Sequence, residues 1–87
     1  MYFKVAAKWG RRVQRGVTIG ARYRHFKGNT YSVEALATHT ETGETLVIYL
    51  DLQSRTTYAR PINMFTSLVD KDKYPECEQT YRFELIE

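Results

Sequence analysis

The sequence predicts an all-β fold. The expected form is a small antiparallel barrel or roll of about five or six short strands, with one helical turn after Pro61 and a basic arm or weak helix ahead of it. Three observations predict this. Short runs of alternating apolar and polar residues recur along the chain. Residues that tolerate turn geometry separate them, at Lys27-Gly28-Asn29 and at Thr40-Glu41-Thr42-Gly43-Glu44. The chain has 87 residues, and a domain of that size buries only about 60–65% of its unfolded surface, which is enough for one small core.

The arm comes first. Val5, Trp9 and Val13 recur at a spacing that places them on one face of a helix. Lys4, Lys8, Arg11, Arg12 and Arg15 surround that face. Gly10 interrupts it at a cost of about 1 kcal/mol relative to alanine, and a helix this short is marginal without tertiary contacts. The segment through Val17 therefore reads as a weak helix or a disordered basic arm. The arm is assigned to residues 1–19 and the β domain to residues 20–87.

From Arg22 to Phe26 the pattern is that of a half-buried strand, with Tyr23 and His25 on one face and Arg22, Arg24 and Phe26 on the other. The turn at Lys27-Gly28-Asn29 leads to a second strand. There Tyr31, Val33, Ala35, Ala37 and His39 share one face, while Ser32, Glu34, Leu36 and Thr38 share the other. A strand this long in a small domain predicts a bend near Ala35 to Ala37. Gly43 takes the left-handed position of the next turn. Leu46 to Leu50 is nearly continuous in apolar residues and reads as the central strand, buried on both faces.

A polar loop then leads to a short strand at Thr57-Tyr58-Ala59, which Pro61 ends because proline cannot donate to a sheet ladder. Ile62-Asn63-Met64-Phe65 forms the helical turn and is expected to bury Met64 and Phe65. Leu68 and Val69 extend briefly, and Asp70 to Gln79 is a charged loop. Tyr81, Phe83 and Leu85 alternate with Arg82 and Glu84 in a closing edge strand. Closure removes edges that would recruit other chains, and the size and strand lengths point to an SH3-like barrel. Thr57–Arg60 and Tyr81–Ile86 are the edges available for self-pairing, so a monomer or weak dimer is expected.

The net charge of +3 conceals an asymmetry. Eight cations and no acid lie between Met1 and Lys27, whereas the remainder holds five cations and ten acids, 5 − 10 = −5. Such polarity directs attention to nucleic acid, a membrane surface or targeting. No stretch approaches the roughly 18 apolar residues of a membrane span, and no run of signal-peptide length opens the chain. Cys77 is the only cysteine, and a lone thiol cannot staple a small secreted fold. A reducing cytoplasm is the expected compartment.

Metal and cofactor chemistry is not expected. In the predicted hairpin register His25 and His39 stand too far apart to share an ion, a metal site needs three or four ligands, and Cys77 is the only other soft donor. Ser32, Ser54 and Ser67 sit in no nucleophile-elbow pattern, and phosphate-loop and dinucleotide signatures are absent. A catalytic reading rests on His25, His39 and Glu41 alone, as a His/Glu hydrolytic site, and the chain is read as a non-enzyme.

Binding fits the composition better. Arg24, Lys27 and Arg60 can contact phosphate or carboxylate, Arg60 in a bidentate way. Tyr31 and Tyr58, with Tyr23 and Phe26, offer ring faces. The plainer reading is that the rings are core, the cations solubilise the surface, and each histidine is a hydrogen-bonded strand residue. Seven tyrosines exceed what a small core easily hides, because each hydroxyl needs a partner. The candidate surface is therefore Arg24, His25, Lys27, Tyr31, His39, Glu41, Tyr58 and Arg60, engaging a peptide, a protein or a small anionic ligand. The alternative is single-stranded RNA or DNA held by Lys4, Lys8, Arg11, Arg12 and Arg15, with Trp9 stacking on a base.

Tyr-Arg-His-Phe-Lys-Gly-Asn-Thr-Tyr-Ser-Val, residues Tyr23 to Val33, resembles the opening motif of the mostly bacterial domain-of-unknown-function family 1653. Ala37-Thr38-His39-Thr40-Glu41-Thr42, Leu46-Val47-Ile48-Tyr49 and Arg60-Pro61-Ile62-Asn63-Met64-Phe65 match in order, and the ending through Tyr81-Arg82-Phe83 also fits. The resemblance spans about Gly20 to Leu85. It implies a small SH3-like β-roll and carries no mechanism. Where many members have tryptophan two residues before the Arg-Pro pair, this chain has Tyr58, a weaker stacking surface.

Overall fold

The computed structural model describes residues 12–87. Lys4, Lys8, Trp9 and Arg11, the front of the expected arm, lie outside the described residues. The chain runs β1 (Arg12–Gln14), β2 (Val17–Ile19), β3 (Arg22–His25), β4 (Thr30–Thr38), β5 (Thr45–Asp51), β6 (Thr57–Pro61), α1 (Ile62–Phe65) and β7 (Phe83–Leu85). Strands β1 and β2 form a two-stranded hairpin, and the other five form one antiparallel sheet in the order β6-β5-β4-β3-β7.

The mainly β expectation holds, as does the helical turn after the Arg-Pro pair. Closure does not: the sheet ends at β6 and β7, so it is an open roll and not a sealed barrel. Both strands expected at the edges are at the edges. Pro61 fits there, since its missing N–H deprives no second neighbour.

The helical reading of Val13 also fails, because Arg12–Gln14 is strand. Arg15 and Gly16 have φ of 52° and 83°. That pair of left-handed residues between the facing residues Gln14 and Val17 is the two-residue geometry matched to strand twist. The hairpin carries Val17 into the core at 1% exposure, with Ile19 packed beside it. The compact body therefore includes residues ahead of the boundary drawn at residue 20.

Hairpin β3–β4 follows the expected turn. Gly28 has φ 115°, its amide donates to the His25 carbonyl at 2.8 Å, and the His25 amide donates to the Asn29 carbonyl at 2.9 Å. Tyr23 faces Tyr31 across the pair. The bend in β4 falls earlier than expected, where the register against β5 slips between Val33 and Ala35 and leaves Glu34 as the extra residue. A bulge switches which residues face inward. Val33 is fully buried and Leu36, not Ala35, packs on the core. At the same level the Val33 amide donates to the Ala21 carbonyl at 3.0 Å, and the Gly20 amide donates to the Val33 carbonyl at 2.8 Å.

The central strand is β4, with β5 beside it. Along β5 the buried residues are Val47, Tyr49 and Asp51, whereas Leu46, Ile48 and Leu50 are half-buried. One face of β5 is thus core and the other partly wet, in place of the two buried faces the apolar run suggested. In α1 the buried residues are Ile62 and Phe65, and Met64 is 47% exposed. One helical turn cannot direct adjacent residues to the same side, and Ile62 and Phe65 are the pair at i, i+3.

Aromatic rings fill the space between sheet and helix. Phe65 stacks on Phe83 with centroids 4.1 Å apart and planes at 7°. Tyr23 meets Phe65 edge-on at 5.4 Å, and Tyr49 meets Phe83 at 5.3 Å. The hydroxyls of the two buried tyrosines are satisfied: Tyr23 Oη accepts from the Thr18 amide at 2.9 Å, and Tyr49 Oη accepts from Arg60 Nε at 2.9 Å. Truncating Phe65 to alanine is expected to cost about 3–5 kcal/mol, most of the stability of so small a domain. Met64→Ala should cost under about 1 kcal/mol. Urea midpoints of the two variants check the assignment.

Candidate functional site

The residues offered as one surface divide into two groups. His39 and Glu41 belong to the β4–β5 turn, where His39 Nδ1 accepts from the amides of Glu41 at 3.1 Å and Thr42 at 3.3 Å. His25 sits at the other end of β4, beside Thr30. Nine residues of strand separate the two ends, roughly 25 Å at about 3.3 Å per residue. The histidines do not converge, as the register implied, and Glu41 stays with His39. Arg24 is exposed on the far face of β3 and donates to Gln79 Oε1 at 3.5 Å. Tyr58 lies opposite Tyr49 on β6, ring against ring at 5.7 Å. Tyr31 packs inward, 5.2 Å from Tyr49 and 5.6 Å from Phe83.

His25, Lys27 and Arg60 do come together, and they meet residues that the sequence reading did not select. A cleft of about 360 Å³ is lined by His25, Phe26, Lys27 and Arg60 on one side and by Leu68, Val69, Asp70, Lys73, Tyr74 and Arg82 on the other. Four cations thus line the cleft with one carboxylate. That carboxylate is engaged, because Asp70 Oδ1 accepts from the amides of Asp72 at 3.0 Å and Lys73 at 3.3 Å. The only ion pair among the described residues is Arg22–Glu87, at 3.6 Å and elsewhere on the surface.

Each cation is aimed by its surroundings. Arg60 donates its Nε to Tyr49 Oη and lies over the Phe83 ring at 5.8 Å. Arg82 donates its Nε to Ser67 Oγ at 3.1 Å. Anchoring through Nε leaves the terminal amino groups of both arginines for a ligand, the fork that suits carboxylate and phosphate oxygens. The loop carrying Lys73 and Tyr74 is tied down by Lys71 Nζ, which donates to the carbonyls of Cys77 and Gln79. Gln79 Nε2 in turn donates to the Arg24 carbonyl at 2.9 Å.

Backed by the buried Phe83, His25 lines the cleft. Its ring stacks on Phe26 at 4.5 Å and meets the Phe83 edge at 4.9 Å. Nδ1 accepts from the Lys27 amide at 3.0 Å, so in the neutral ring Nε2 carries the proton and is a donor. Burial first, then the positive charges of Arg60, Arg82 and Lys27, push its pKa down from 6.5 to about 4.

Lys73 and Tyr74 carry no strand pattern because the Asp70–Gln79 loop has no periodicity to place them, and Arg82 reads only as the outward residue of the closing strand that begins beside it at Phe83. The available signals were Arg82 adjoining the buried Phe83, and Lys71 and Lys73 just ahead of Tyr74-Pro75. Among the described residues there is no cluster of three or more metal-ligating side chains and no helix long and apolar enough to cross a membrane.

The fold is that of a small mainly β domain with a cationic surface cleft lined in part by aromatic rings. A family model described as a protein of unknown function (DUF1653) matches residues 21–85, and the chain belongs to that family. No curated protein and no solved structure matches the chain.

The depressed His25 pKa sets a pH dependence. Between about pH 6.5 and 4 the unfolded chain holds the imidazole proton and the folded chain does not, so stability rises with pH across that window. Discounted for the partial exposure of the ring, the effect is on the order of 1–2 kcal/mol. Asp51, whose carboxylate is held low chiefly by the Gln53 amide, acts in a separate window below its ordinary value of 3.8. Chemical denaturation of the parent and His25→Gln from pH 7 to 4 should show the parent losing stability and the variant holding a flatter curve. Parallel curves would remove His25 as the cause.

Proposed function

We propose that the domain is a non-catalytic binding module whose cleft takes an anionic group, a phosphate or carboxylate presented by a peptide or small molecule. The observation that supports this most directly is the set of Lys27, Arg60, Lys73 and Arg82 around one cleft with a single, already engaged carboxylate. Like charges held together raise the free energy of the empty cleft, and an entering anion relieves it. The neutral His25 adds one N–H donor in the cleft. No general-base role follows, because the same cations that favour an anion disfavour a protonated imidazole, and His39 and Glu41 lie at the other end of β4.

Single-stranded nucleic acid is the second reading. It draws support from the exposure of Arg12, and of Arg15, whose Nη1 donates to Thr45 Oγ1 at 2.8 Å. These cations belong to the β1–β2 hairpin and do not line the cleft. The two readings therefore separate experimentally.

Titration of the labelled protein with inorganic phosphate at constant ionic strength, followed by amide shifts, tests the primary reading. Saturable shifts are expected at His25, Lys27, Lys73 and Arg82. Arg82→Gln should weaken binding about tenfold, the loss of one charge-assisted contact. Shifts scattered over all surface lysines and matched by chloride would contradict it. A steep salt-dependent affinity for a short single-stranded RNA, lost on Arg12→Gln/Arg15→Gln, would transfer the function to the hairpin.

A further inference from the structure

The cationic cleft has a neighbour. A second, more open depression of about 430 Å³ is lined by Phe26, Tyr74, Pro75, Glu76 and Cys77, with Lys27 and Lys73 at its border. Phe26, Lys27, Lys73 and Tyr74 line both depressions. Phe26 and Tyr74 meet at 4.9 Å and 63°, so their rings form an open aromatic corner. The two ammonium groups sit at the boundary: Lys27 Nζ lies 5.5 Å and Lys73 Nζ 5.7 Å from the Tyr74 centroid. Polar surface dominates the first depression and apolar surface the second. We propose that the ligand is an aryl phosphate monoester, with its phosphate in the cleft of Arg60 and Arg82 and its ring in the Phe26–Tyr74 corner. This rests on the anion-binding reading and adds the body of the ligand to it.

Adjacency selects the aryl ester. Because the same two lysines border both depressions, a ring joined directly to the phosphate oxygen spans them, whereas a sugar between ring and phosphate carries the ring past the corner. An aromatic corner accepts a third ring face-on to one wall and edge-on to the other, the arrangements aromatic pairs prefer. Lys27 and Lys73, shared by both depressions, then meet the phosphate from the ring side, while Arg60 and Arg82 belong to the cationic cleft alone. Glu76 is the one carboxylate beside the ring and Asp70 the one beside the phosphate, so the charge balance favours a dianion.

The test is calorimetry of the full chain at about pH 8 with inorganic phosphate, phenyl phosphate, phenol and adenosine 5′-monophosphate. Phenyl phosphate is expected to bind about tenfold more tightly than inorganic phosphate, through burial of the ring, and more tightly than the nucleotide; phenol should not bind measurably. Tyr74→Leu should remove the advantage of phenyl phosphate while leaving inorganic phosphate bound, and Phe26→Leu serves the same purpose from the other wall. Equal affinities for phosphate and phenyl phosphate, or a nucleotide that binds more tightly, overturn the aryl proposal and leave the anion site standing. Failure of every phosphate ligand overturns both.

Discussion

Phe83 joins the core of this domain to its surface. Below, it stacks on Phe65 and receives the edges of Tyr49 and Tyr31; above, it supports His25 and Arg60. One ring therefore packs α1 against the sheet and also backs two residues that line the cleft. It can do both because β7 is an edge strand paired only with β3, where His25 faces Phe83 directly. A small domain has no material for a separate scaffold and site, and here the site is the upper surface of the core.

The electrostatic cost of that economy is visible. Four cations share a cleft lined in part by aromatic rings, and no acid pairs with them among the described residues. The tyrosines and phenylalanines offset part of the cost: Lys27 and Lys73 rest near the Tyr74 face, and Arg60 over Phe83. His25 bears the remainder by staying neutral to about pH 4. A charge arrangement of this kind weakens the unliganded fold slightly and strengthens any complex that brings the opposite sign.

Local chemistry was legible in the sequence where local physics decides the outcome. Gly28 and Gly43 mark turns with positive φ, Pro61 marks an edge strand, and the alternation at Tyr23 and His25 gives their shared face. Errors arose where one residue of offset reverses a face. The bulge at Glu34 exchanged Ala35 for Leu36, and a single turn of helix exchanged Met64 for Ile62 beside Phe65. The hairpin at Arg15-Gly16 was hidden because an arginine in a left-handed position carries no sequence signature of its own. Half of the cleft lining was legible, since His25 and Arg60 lie on strands and Lys27 opens the turn between two of them. The other half was not, because Lys73 and Tyr74 belong to an irregular loop tied down by side-chain and carbonyl contacts, and Arg82, just ahead of β7, is turned toward the cleft by its bond to Ser67. His39 and Glu41 lie apart from this cleft, in a turn whose backbone amides bond His39 Nδ1.

The imidazole of His25 reports on the cleft from inside it. An anion seated among Lys27, Arg60, Lys73 and Arg82 must favour the protonated ring and raise its pKa. The most direct measurement is the NMR titration of the His25 ring protons in saturating sulfate, which stays dianionic in acid, against chloride at equal ionic strength. In saturating sulfate the midpoint is expected about one unit or more above the value near 4 to which burial and the neighbouring cations hold the free ring. A midpoint that sulfate leaves in place would mean that the anion binds elsewhere, and would contradict the assignment of this cleft as the site.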